Sequence, residues 1–206
     1  MIDPKTTEAV ELLKSRDLRK RIQALELASQ LEGREALALL LKALHDQSWT
    51  LRDHAIPKLK KRGGSAVLPI LHHLQSGVWF TRAALAQVLE ETGDERAVAP
   101  LLQLLSDSNK SVTESAQKAM ASIIARSDPQ RLGEQISAAG SSRRQALIQY
   151  LQQTDPAKAG AAISHLGPVQ DGPEPADPKD ASEKIQQLRK AIKSSLKTGE
   201  QDYDES

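Results

Sequence analysis

The chain contains no cysteine, which removes disulfides, thiolate nucleophiles and cysteine-based zinc sites together. Aromatic side chains are nearly missing: two Trp, two Tyr and one Phe in 206 residues. A β-sandwich wants β-branched and aromatic strands, so this scarcity argues against one. Neither sign of charge prevails, because 28 basic residues stand against 27 acidic ones. The balance supplies no global pull toward nucleic acid or anionic lipid. Long apolar runs are absent too. The longest, Ala36 to Leu41, is far short of the roughly 20 residues a membrane helix needs. The opening Met1-Ile-Asp-Pro-Lys-Thr-Thr-Glu lacks the basic flank and apolar stretch of a signal peptide. A soluble, cytoplasmic protein without a membrane span is expected.

What the chain has in quantity is 28 Leu and 27 Ala. Both favour helices, and their modest size suits helices packed closely on helices, so an all-α fold is expected. The residues also repeat. Ala36 to Leu44, Ala66 to Leu74 and Ala97 to Leu105 align their apolar positions at helical spacing, and their ends are 30 and 31 residues apart. The same register reaches back to Leu13 and forward to Ile136 and Leu166, giving six equivalent helices. Between them runs a second series marked by Arg21, Arg52, Arg82, Thr113 and Arg144, at steps of 31, 30, 31 and 31. Two helices per period of about 30 residues mean an α-solenoid. Gly33, Gly63-Gly64 and Gly93-Asp94 stand where second helices should end, in positions suited to a left-handed turn. Asp128-Pro129 and Asp155-Pro156 read as caps followed by a first-turn proline. Pro69 and Pro100 fall near helix starts, where the missing amide is tolerated.

The stretch from Thr81 to Asp107, TRAALAQVLEETGDERAVAPLLQLLSD, resembles the HEAT repeat in its short bacterial, phycobilisome-lyase-like form. The resemblance covers about residues 5 to 166. It implies a right-handed HEAT-like superhelix of about five helix pairs, with a sixth first-type helix and the second helices lining a concave face. It also implies a ladder in which an Asp in the turn within a unit bonds to an Arg six residues later. By that spacing Asp46 with Arg52 is the only complete pair, because Ser76, Ser15 and Ala138 replace the acid and Thr113 the arginine. Adhesion between units is therefore expected to rest more on Leu and Ala packing.

On the concave face the outward positions read Ile22, Gln23, Glu26; Asp53, His54, Pro57; Ala83, Ala84, Gln87; Glu114, Ser115, Lys118; and Gln145, Ala146, Gln149. This mixed surface suits a protein helix or extended peptide better than a phosphate backbone, which needs clustered cations. Trp49 and Trp79 each precede a marker arginine by three residues, so they occupy equivalent places in adjacent units beside Phe80. Two readings stand open: each Trp plugs the end of its own helix pair, or the two form an exposed binding ledge with Arg52 and Arg82 as polar companions. The adjacent His72 and His73 point about 100° apart on a helix and do not make a metal pair. No metal, cofactor or nucleophile motif is found, and the chain is expected to be non-catalytic.

Residues 1–62 hold 13 basic and 9 acidic side chains, whereas 167–206 hold 6 and 9. The basic excess lies in Arg16–Arg21, which could meet an acidic partner, and in Lys58–Arg62, where a helix end favours cations. Residues 1–166 are read as the solenoid, 167–181 as a Pro-rich linker and 182–206 as an amphipathic helix with an acidic tail. Ile185, Leu188, Ile192 and Leu196 form that helix's apolar stripe. It must fold back on the solenoid, self-associate or meet a partner or membrane surface. The function expected is an adaptor or scaffold that binds a protein partner through Trp49, Trp79, Phe80, Arg52, Arg82, His54 and Gln87. The alternatives are a bilin lyase or chromophore-handling chaperone, and a HEAT-like nucleic-acid-binding or DNA-repair protein. Colour on mixing with bilin would mark the first, and salt-sensitive DNA retention the second.

Overall fold

The computed structural model describes residues 3–75 and 77–167. Among them are eleven α-helices and no strand: α1 (Pro4–Leu13), α2 (Leu18–Gln30), α3 (Arg34–Ala43), α4 (Trp49–Lys60), α5 (Val67–His73), α6 (Trp79–Thr92), α7 (Val98–Leu104), α8 (Lys110–Arg126), α9 (Pro129–Ala138), α10 (Ser141–Thr154) and α11 (Pro156–Ile163). Odd-numbered helices are the first of each unit and even-numbered helices the second, so five pairs and a sixth first helix stack as the repeat requires. The proposed linker past Gly167 and the stripe of Ile185, Leu188, Ile192 and Leu196 lie outside the described residues.

Local chemistry explains most helix starts. Asp17, Ser48, Asn109, Asp128 and Asp155 each accept an amide hydrogen bond from the first turn of α2, α4, α8, α9 and α11. Pro129 and Pro156 follow their caps as the first helical residue, where no amide partner is missed. Pro69 and Pro100 are the third residues of α5 and α7, and a short 3-10 turn precedes each helix. Two glycines, Gly64 and Gly93, depart from expectation. Gly33 and Gly63 take positive φ, but Gly93 does not: its φ is −66°. It is glycine because a Cβ there would lie 2.5 Å from the Leu89 carbonyl oxygen and 2.7 Å from Ile123 Cδ1.

The core is one continuous strip of aliphatic side chains rather than a central globule. Leu25, Leu40, Leu51, Leu85 and Leu101 are fully buried, and α6 on α8 is the broadest helix contact. Polar ties reinforce the packing more than the degenerate sequence ladder implied. The last turns of α2, α6 and α8 leave carbonyls with no partner in their own helix. Cations from later units donate to these helix ends: Arg62 to the Ala28 and Leu31 carbonyls, Arg126 to Glu90 and Gly93, and Lys158 of α11, two units on, to Ile124 and Ala125. Lys58 pairs with Glu26 and Lys60 with Glu91. The basic cluster at the end of α4 is thus glue between units.

Candidate functional site

Trp49 and Trp79 open α4 and α6, the second helices of adjacent units. Both stay largely in water, at 70% and 47% exposure, so they do not plug their helix pairs. Between the two helices lies a cleft of about 310 Å³ bounded by Trp49, Asp53, Ile56, Trp79, Ala83 and Gln87. Phe80 and Arg52 form part of its wall. The Trp79 ring meets Phe80 edge to face at 5.7 Å between centroids, and the Arg52 guanidinium lies 4.0 Å above the Phe80 ring. Arg52 also donates to the Asp46 and Gln47 carbonyls at 2.7 and 3.2 Å. Its side chain is therefore held on both sides, and it holds Phe80 in turn.

Of the expected binding residues, Trp49, Trp79, Phe80, Arg52 and Gln87 converge on this cleft. Arg82 and His54 are not among its lining residues. Arg82 turns to the next unit, and His54 is exposed on α4. Ala84 was expected to point outward, but it is buried at 6% exposure, which leaves the cleft floor shallow. Asp53, read from the sequence as an outward position of the concave face but not as a partner-binding residue, also lines the cleft. The signal was available: it lies four residues after Trp49, on the same helix face.

The ladder runs differently from its sequence form. Arg52 touches Asp46 through the main chain, whereas the Asp46 carboxylate faces Arg21, with Nε to Oδ2 at 3.3 Å. Arg82 pairs with Asp107 at 2.7 Å and donates a second bond to the Gly77 carbonyl. Asp107 is 8% exposed, and the guanidinium beside it holds its carboxyl below the usual carboxylate range, helped by the Asn109 amide. Each rung joins an arginine to an aspartate 25 residues later in the following unit. Counting the same step from Arg52 reaches Gly77, not an acid. Here the rung is Phe80, and the freed space takes His45: a Cβ on Gly77, whose φ is +87°, would lie 3.3 Å from the His45 ring. The His45 ring packs edge-on against His73 at 5.7 Å. Burial, then the His73 charge, pushes the His45 pKa below its ordinary value.

Residues 71–152 match the family model of HEAT repeats, in agreement with the resemblance read at Thr81–Asp107 and with the helical solenoid. No curated protein matches the sequence. Among solved structures, one similar chain comes from the complex of CpcE and CpcF of phycocyanin lyase from Nostoc sp. PCC7120. It is 23% identical, the match covers 76% of this chain and 67% of that one, and the TM-score is 0.44. Because that complex belongs to an enzyme, the expectation of a non-catalytic chain is corrected and set aside. No helix among the described residues is long and apolar enough to cross a membrane.

Proposed function

We propose that the protein is an interaction scaffold that holds a segment of a partner protein in the cleft between α4 and α6. One observation carries this reading. In a chain with five aromatic residues, three meet at one cleft, and the two largest remain open to water. An exposed Trp forgoes the burial it would gain in a core, and a partner side chain supplies that burial on binding. Asp53 and Gln87 at the rim supply a charge and an amide that orient the bound segment. The cleft is built on two helices with Phe80 clamped by Arg52, so its walls lose little freedom when it is occupied.

The test is affinity capture from the native extract with the intact chain and with a Trp49→Ala, Trp79→Ala double variant, followed by titration of the recovered partner. The variant is expected to keep the wild-type helical circular dichroism, because both side chains are exposed. Affinity should fall about thirtyfold, on the order of 2 kcal/mol. Unchanged affinity of every captured protein would remove the cleft from the binding surface.

A further inference from the structure

The first-helix side carries a surface that the tryptophan cleft leaves unexplained. α3 presents Arg34, Ala38 and Lys42 to solvent at four-residue steps, so they form one stripe along its outer side. Ala38 is the low point, with the two cations a turn away on either side, about 12 Å apart along the axis. An apolar hollow flanks the stripe on each side. One of about 440 Å³ lies toward α1 and is floored by Val10 and Leu39. The other, of about 520 Å³, lies toward α5 and is floored by Leu37, Leu41 and Pro69. The second hollow opens because α3 packs on α1, α2 and α4, whereas the short α5 packs on α6.

Charge says what fits. Arg34 and Lys42 make no ion pair among the described residues, so their cationic groups are free to meet a ligand. Glu32, the acid beside Arg34, is engaged by Arg62. Glu35 is the acid on the α1 side. Toward α5 the rim gains His72 and His73 and no further acid.

We propose that an amphipathic helix of a partner protein, with Asp or Glu beside its apolar stripe, lies across α3 at this point. Apolar side chains spaced at i, i+3 or i+4 and i+7 enter the two hollows. The helix crosses at Ala38, where only a methyl group separates the backbones, and its carboxylates meet Arg34 and Lys42. The chain's own apolar stripe is flanked mainly by cations, the acids of 182–206 other than Glu183 coming after Lys197. Its stripe of Ile185, Leu188, Ile192 and Leu196 is accompanied by Lys184, Arg189, Lys190, Lys193 and Lys197. Like charges beside that stripe and at Arg34 and Lys42 repel, so complementarity favours a foreign helix that carries acids beside its own stripe.

The experiment uses the full chain and two fluorescent peptides of roughly 18 residues, about five helical turns. Both carry leucines at helical spacing in an alanine background. One is flanked by glutamates and the other by lysines. Fluorescence anisotropy should show the Glu peptide binding at least about tenfold more tightly than the Lys peptide. Arg34→Glu with Lys42→Glu should reverse that order, and Ala38→Glu should weaken the Glu peptide about tenfold. All three positions are exposed, and circular dichroism melts check that the variants fold. Binding of the Glu peptide should survive Trp49→Ala with Trp79→Ala, which separates this surface from the cleft. Equal binding of the two peptides, indifference to the Arg34 and Lys42 changes, or loss in the Trp variant overturns the proposal. Binding to phosphatidylserine vesicles with no saturable peptide binding overturns it in favour of a membrane surface.

Discussion

Ile123→Ala is expected to cost about 3 to 4 kcal/mol and to divide the solenoid into two unequally stable halves. Ile123 is fully buried in α8, and its Cδ1 occupies the space that the missing side chain of Gly93 leaves at the end of α6. Truncation leaves a cavity that two helix backbones bound and cannot easily close. In a solenoid each unit is stabilised by its neighbours, so a weak joint between α6 and α8 uncouples the helices beyond it. The two tryptophans make the outcome readable, since both lie in α4 and α6, on the N-terminal side of the joint. In urea, wild-type Trp fluorescence and far-ultraviolet circular dichroism should change together. In the variant, dichroism should lose amplitude first, as α8 to α11 melt while the Trp signal persists. Coincident transitions shifted by less than about 1 kcal/mol would mean that the polar ties from Arg126 carry the joint instead.

Arg82→Ala is expected to cost about 2 kcal/mol at neutral pH. It strands the Asp107 carboxylate, which is 8% exposed, and leaves the Gly77 carbonyl without its guanidinium partner. The figure is below that for a fully buried pair because the Arg82 side chain keeps 19% of its exposure. The loss depends on pH. Asp107 titrates lower in the folded chain than in the unfolded one, so the pair's stabilisation is complete above the ordinary Asp range near pH 4. It disappears as pH falls through the lowered folded value. Urea midpoints of wild type and variant should therefore differ at pH 7 and converge as pH falls through the lowered Asp107 value. Arg82→Lys should recover little, because one ammonium cannot hold the Asp107 carboxylate and the Gly77 carbonyl in the same geometry. A constant gap across the whole range would show that the cost is lost packing and not the ion pair.

His45 titrates in the opposite sense. Its folded pKa is depressed, so protonation favours the unfolded chain, and stability should decline as pH falls through the ordinary His value near 6.5. His45→Gln should flatten that part of the curve in the same urea series. The difference should be small, because His45 is exposed and water screens its charge.

The repeat was legible residue by residue. The positions of Leu13, Leu44, Leu74, Leu105, Ile136 and Leu166 located every first helix, because burying one face of a helix enforces helical spacing wherever units stack. The tryptophan ledge was legible as a shared repeat position, but its exposure was not. Whether Trp49 enters a core depends on the gap between α4 and α6, which no local pattern encodes. The ion-pair ladder was legible only in part: the arginine six residues after Asp46 bonds to its carbonyl, whereas the arginine that faces its carboxylate stands 25 residues earlier in the chain. Arg21 with Asp46 and Arg82 with Asp107 both have that second spacing. The stripe of Arg34, Ala38 and Lys42 was hidden inside the most apolar stretch of the chain. Its importance rests on α5 standing off from α3, a tertiary fact.

Scarce aromatics, absent cysteine and abundant Leu and Ala determined by themselves that this chain builds thin helix-on-helix layers. Periodicity then set how many there are. Those properties are local and repetitive, and they survive any small change in how one unit sits on the next. Only the tertiary structure decided where the layers part, and therefore which side chains face water together. The cleft at Trp49 and Trp79 and the trough beside Ala38 are both gaps between units. Their shape comes from helix lengths, the bulk of particular contacts and the rung lost at Gly77, all summed across a distance that sequence order does not measure.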